Sequence, residues 1–138
     1  MSGHLDIPPP AGWVLDIAPV LDIADGLVMA EALIATARSR ALTLLVPDTV
    51  LLAAYDQRQE PSAIERLRGL TYDHDVWLLS SLTDIPTEQL DRLVEATGDV
   101  SAAHAAYLGH QRCWPVLTDR PDVLRRAHAD LRLIPLSA

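Results

Sequence analysis

Short apolar runs that each stop at a proline or an acid recur along this chain, and longer stretches with helical periodicity lie between them. Trp13-Val-Leu-Asp-Ile17 carries Asp16 near its C-terminal end and meets Pro19. Thr43-Leu-Leu-Val46 is stopped by Pro47, Val76-Trp-Leu-Leu79 follows the polar stretch Tyr72 to Asp75, and Trp114-Pro-Val-Leu-Thr118 runs into Asp119. Apolar runs this short, without polar alternation, read as strands buried on both faces. Leu131 to Leu136 alternates instead, and reads as an edge strand.

The segments between the strands have the helical period. Leu27, Ala30, Leu33, Ile34 and Ala37 share one face of a helix over Leu27 to Arg38. Asp48 is placed to cap a helix through Tyr55, and Pro61 to Arg68 adds an exposed helical turn or two. A helix over Pro86 to Ala96 closes at Thr97-Gly98, Asp99 opens an Ala-rich helix through His110, and Pro121 to Ala129 forms a last one. Strands alternating with helices predict an α/β domain, an α/β/α sandwich whose central sheet is mostly parallel. Residues 1–10, with three consecutive prolines, read as an extended arm, and residues 11–138 as a single domain.

Composition narrows the function classes. With 138 residues, 49 % of them hydrophobic, the chain has material for one core. Nineteen acids against eleven bases give a net charge of −8, which argues against non-specific coating of nucleic acid. All the bases are Arg, so lysine nucleophiles and Schiff-base chemistry are excluded. The single Cys113 excludes both a disulfide framework and a thiolate zinc site within one chain. No apolar run is long enough for a membrane span and no leader-like start is visible, so the expectation is a cytoplasmic protein with no membrane partner.

Ligands of open parallel sheets bind beyond the carboxyl ends of the strands. The side chains expected there are Asp16, Asp48 and the triplet Thr118-Asp119-Arg120, with Asp99 opening the helix that leads into the fourth strand. Clustered carboxylates repel one another, and a hard divalent cation, Mg²⁺ or Mn²⁺, relieves that repulsion. Metal-bound water is then a nucleophile suited to phosphodiester hydrolysis. The plain alternative is that each Asp caps a helix or a turn.

Val14-Leu-Asp16, Leu45-Val-Pro47 before a helix, Gly98-Asp-Val-Ser-Ala-Ala-His-Ala-Ala106 and Trp114-Pro-Val-Leu-Thr-Asp119 follow one another over nearly the whole chain. Together they resemble the PIN-domain family, and in particular its toxin-type bacterial ribonucleases. The resemblance implies a small α/β/α sandwich, Mg²⁺-dependent RNA cleavage, restraint by a small antitoxin protein, and a homodimer. Carried over by position, Asp16, Asp99 and Asp119 become the metal-holding and catalytic acids. The sequence departs from the family pattern at three places. The stretch from Asp99 to Thr118 is about three residues longer than the family's, so Asp99 either sits one helical turn along or only caps its helix. Ala53 stands where a Glu is expected, and Arg120 stands where the fourth acid usually does, with Asp119 one residue early. The resemblance therefore implies either a weak or lost ribonuclease or a non-catalytic module that binds RNA or a protein. An unrelated receiver-like regulator lacks its marks here, since the chain has no early Asp-Asp pair and no Lys.

Other residues have plainer readings. Arg120, Arg125 and Arg126 follow the acids and suit RNA phosphates, or else form a solvated face balancing Asp119, Asp122 and Asp130. His4, His74, His110 and His128 read as surface residues, His104 as packed or capped with an approach to the site as the alternative, and Cys113 as small and at least half-buried. Trp13, Trp77 and Trp114 read as core or edge packing.

Overall fold

In a computed structural model of the protein, the structure describes residues 11–72 and 76–136. The arm expected over residues 1–10 lies outside the described residues, as do His4 and His74. Five strands, β1 (Gly12–Leu15), β2 (Thr43–Pro47), β3 (Trp77–Ser80), β4 (Val116–Thr118) and β5 (Leu133–Pro135), form one sheet in the order β3-β2-β1-β4-β5. Every pairing is parallel. The helices are α1 (Ile17–Ala24), α2 (Val28–Ser39), α3 (Asp48–Gln57), α4 (Pro61–Gly69), α5 (Thr87–Thr97), α6 (Val100–Arg112) and α7 (Pro121–Ala127). The result is a three-layer α/β/α sandwich.

The unalternating strand runs are explained by burial from both sides. Leu44 and Val46 pack with α1 to α4, while Leu45 between them packs with α6 and α7. On β1, Leu15 joins the first layer and Val14 the second. α5 lies against α6 and α7. Two glycines let neighbours come this close. A Cβ at Gly12 would strike the Thr43 carbonyl and the Trp114 ring, and one at Gly109 would strike Val116, so α6 sits directly on β4.

Three local expectations need correction. Pro19 does not end a strand: it lies in the first turn of α1, where the lost N–H has no helical partner to miss. Asp48 does not cap α3; Pro47 holds that position, and Asp48 Oδ1 instead accepts from the Leu82 amide at 3.1 Å. Cys113 is exposed, closing α6 in the left-handed conformation with φ of 56°. Among the described residues, no helix is long and apolar enough to cross a membrane.

Candidate functional site

From β1 the sheet grows one way through β2 and β3 and the other way through β4 and β5. Such a reversal opens a crevice at the carboxyl ends of its two central strands. Asp16 leaves β1 at this point, its amide bonded to the Leu117 carbonyl of β4 at 3.0 Å, and Thr118, Asp119 and Arg120 leave β4 beside it. Two segments about a hundred residues apart in sequence are thus joined by one rung of the ladder.

Asp16 has no exposed surface, and its carboxylate is held by the other strand. Arg120 Nε donates to Asp16 Oδ2 and Nη2 donates to Oδ1, both at 2.8 Å, while the Thr118 hydroxyl donates to Oδ2 at 2.7 Å. The planar guanidinium fork matches the carboxylate edge to edge. Its far side reaches α6, where Nη1 donates to Asp99 Oδ2 at 3.2 Å and Nη2 donates to Ser101 Oγ at 3.1 Å. Thr118 Oγ1 in turn accepts from the Arg120 amide at 2.9 Å, fixing the turn from which the side chain doubles back.

Asp99 caps α6. Its Oδ1 accepts from the amides of Ser101 at 2.7 Å and Ala102 at 3.1 Å and from the Ser101 hydroxyl at 2.6 Å. Partial burial works to raise this carboxyl, but the Ser101 and Ala102 bonds and the Arg120 charge override it and hold it at about 2, against 3.8 ordinarily. The bonds to Asp16 likewise hold the Arg120 guanidinium more firmly protonated than usual.

The crevice therefore brings together two of the three acids singled out in the sequence, with a cation of the chain's own between them. The third, Asp119, is exposed, and its charge is felt on Asp22, whose carboxyl is raised by burial and by the neighbouring Asp25 and Asp119. Ala53 lies half-buried on α3 and offers only a methyl group. A Mg²⁺ or Mn²⁺ ion needs carboxylate oxygens with free lone pairs in a near-octahedral shell. Here Asp16 has no exposed surface, Oδ2 accepts twice and Oδ1 once. The guanidinium charge against both oxygens repels a second cation, so an ion reaches Asp16 only after Arg120 moves away. As arranged, the residues do not fit a divalent cation.

Farther along α6, His104 is fully buried, with Nδ1 2.9 Å from Thr49 Oγ1 and 3.6 Å from Asp48 Oδ1. Its Nε2 has no hydrogen-bond partner among the described residues. Burial lowers its pKa, and the charges of Asp48 and Asp84 oppose that without cancelling it.

Two arrangements escaped the sequence. Arg120 reads either as a base for phosphates or as part of a solvated face, yet it turns inward, whereas Arg125 and Arg126 are exposed. The signal was its position two residues after Thr118, where an acid was expected. His110 and His128 read as separate surface residues, yet their rings stack with centroids 3.9 Å apart. Spacing within one helix does not reveal a partner on the next. No protein-family model matches the chain, and neither does any curated protein.

Proposed function

We propose that this chain is a non-catalytic PIN-like module, a binding protein in which Arg120 does permanently what a divalent cation does in a cleaving relative. The observation that carries the reading is the bidentate Arg120–Asp16 pair with its second arm on Asp99. A guanidinium neutralises and orients carboxylates as a cation does. It has no coordination position for water, so it creates no hydroxide nucleophile. The module keeps the crevice and its packing but lacks the reagent for hydrolysis.

A protein suits the surface better than RNA. The net charge is −8, and the Arg nearest the crevice is already committed. Leu27, Val28 and Met29 are exposed at the start of α2, and clefts of about 230 and 300 Å³ flank that helix. Trp13 and Leu33 wall one cleft, Ile34 and Trp77 the other. The small antitoxin and the second copy implied by the resemblance are partners of this kind.

The test is a Mn²⁺ titration of the full chain beside a cleavage assay on single-stranded RNA, for wild type and Arg120→Ala. The expected result is no ion bound at Asp16 and no cleavage by the wild type, with Mn²⁺ binding gained in Arg120→Ala and abolished again by adding Asp16→Asn. Mn²⁺-dependent cleavage by the wild type, lost in Asp16→Asn, overturns the reading in favour of a ribonuclease whose arginine swings aside.

A further inference from the structure

The contacts between α6 and α7 occur at both their ends. Asp99, which precedes α6, meets Arg120, which precedes α7; His110 in the last turn of α6 meets His128, which closes α7. The two helices therefore lie side by side and run the same way. Their amino ends share the carboxylate network, and their carboxyl ends share a pair of imidazoles.

We propose that His110, His128 and Asp130 form a binding site for a first-row divalent transition metal, Zn²⁺ foremost, separate from the Asp16 crevice and independent of its reading. One ligand atom from each residue lies within 4.8 Å of the others, the one such trio of His, Cys, Asp or Glu among the described residues. Around a tetrahedral ion with bonds near 2.1 Å, donor atoms stand about 3.4 Å apart. The rings stack at 11° to one another, so their in-plane lone pairs run parallel and one ring must turn out of the stack for both to meet an ion. His110 and Asp130 are exposed and not locked by burial, so His110 can make that turn and Asp130 can close on the same ion.

The chemistry selects the metal. Two imidazoles and one carboxylate suit Zn²⁺ and its neighbours in the row, whereas Mg²⁺ asks for an oxygen shell. Three protein ligands leave a fourth position open to water or to a ligand from a partner. The carboxyl end of α6 also favours positive charge through its unpaired carbonyls. Arg125 and Arg126 in the last turn of α7 work against this, and the site is accordingly one of moderate affinity.

The experiment is calorimetric titration of the untagged full chain with Zn²⁺ at pH 7.5, with Co²⁺ loading as a visible-absorption readout. One equivalent is expected per chain. His110→Ala and His128→Ala each weaken it at least tenfold and remove the Co²⁺ bands, and Asp130→Asn weakens it less. The proposal is overturned by the absence of saturable binding, by binding that persists in His128→Ala, or by binding lost in His4→Ala or His74→Ala instead.

Discussion

The two ends of α6 solve opposite problems. At its amino end a buried carboxylate, a second carboxylate, a hydroxyl and a guanidinium satisfy one another, and the only net charge left is that of one acid. At its carboxyl end two imidazoles and an acid gather near solvent with no bond among them that uses their donor atoms. The first arrangement is closed: its groups are consumed by the fold. The second is open, and its groups are available to something that is not part of the chain. Proximity of titratable side chains is thus no measure of a site. What matters is whether their lone pairs are already taken.

The sharpest way to break this contrast is to open the closed end. Removing one partner of a buried ion pair leaves the other charged and desolvated, which costs about 3–5 kcal/mol. Arg120 is 22 % exposed and Asp16 not at all, so the pair falls in that class. Arg120→Ala should therefore lower the thermal midpoint by about 10–20 °C in calorimetry. Millimolar Mg²⁺, which suits carboxylates and not imidazoles, should restore part of the loss in the variant and do nothing for the wild type. A variant as stable as the wild type without metal would mean that Asp16 is not held by this pair.

A smaller effect belongs to the middle of the helix. Burial lowers the pKa of His104 below 6.5, so the folded state favours the neutral ring. The stability this contributes is present above pH 6.5 and is lost as pH falls below it, because the unfolded chain takes up the proton first. Stability measured by denaturant titration should drop between pH 7 and pH 5. His104→Leu should flatten that drop without abolishing it, since the partly buried His128 is lowered in the same direction by burial and by His110. An unchanged slope in His104→Leu would place the titration elsewhere.

The fold was legible because its signals are local and redundant. Leu44, Leu45 and Val46 announce two-sided burial with no information from elsewhere in the chain, and Gly98, with φ of 74°, marks the end of α5 as expected. The helix α1 was missed because Pro19 punctuates a strand and tolerates a first helical turn equally well. The site was only half legible. The position of Asp16 at a strand end follows from β1 alone, but the role of Arg120 depends on β1 and β4 being neighbours, which no local pattern encodes. Its side chain reads as a phosphate ligand or a solvated charge until the strand order brings Asp16 within 2.8 Å. The His110–His128 stack fails for the same reason, since each ring is unremarkable on its own helix.

The finest comparison is between single truncations at the two ends in the absence of metal. Asp99→Ala removes an N-cap whose oxygen accepts from two amides, a loss of about 1 kcal/mol, and it also takes away the second arm of Arg120. Because Asp99 titrates at about 2, its share of stability is present above pH 3.8 and is lost as the pH falls toward 2, so the variant should differ from the wild type at pH 6 and converge with it at pH 2. His110→Ala removes an exposed ring that caps nothing, and its cost should stay within about 0.5 kcal/mol. Denaturant titrations of the two variants at pH 6 then rank the ends directly. If His110→Ala proves the costlier, the imidazole stack is structural, and the carboxyl end of α6 is as closed as the amino end.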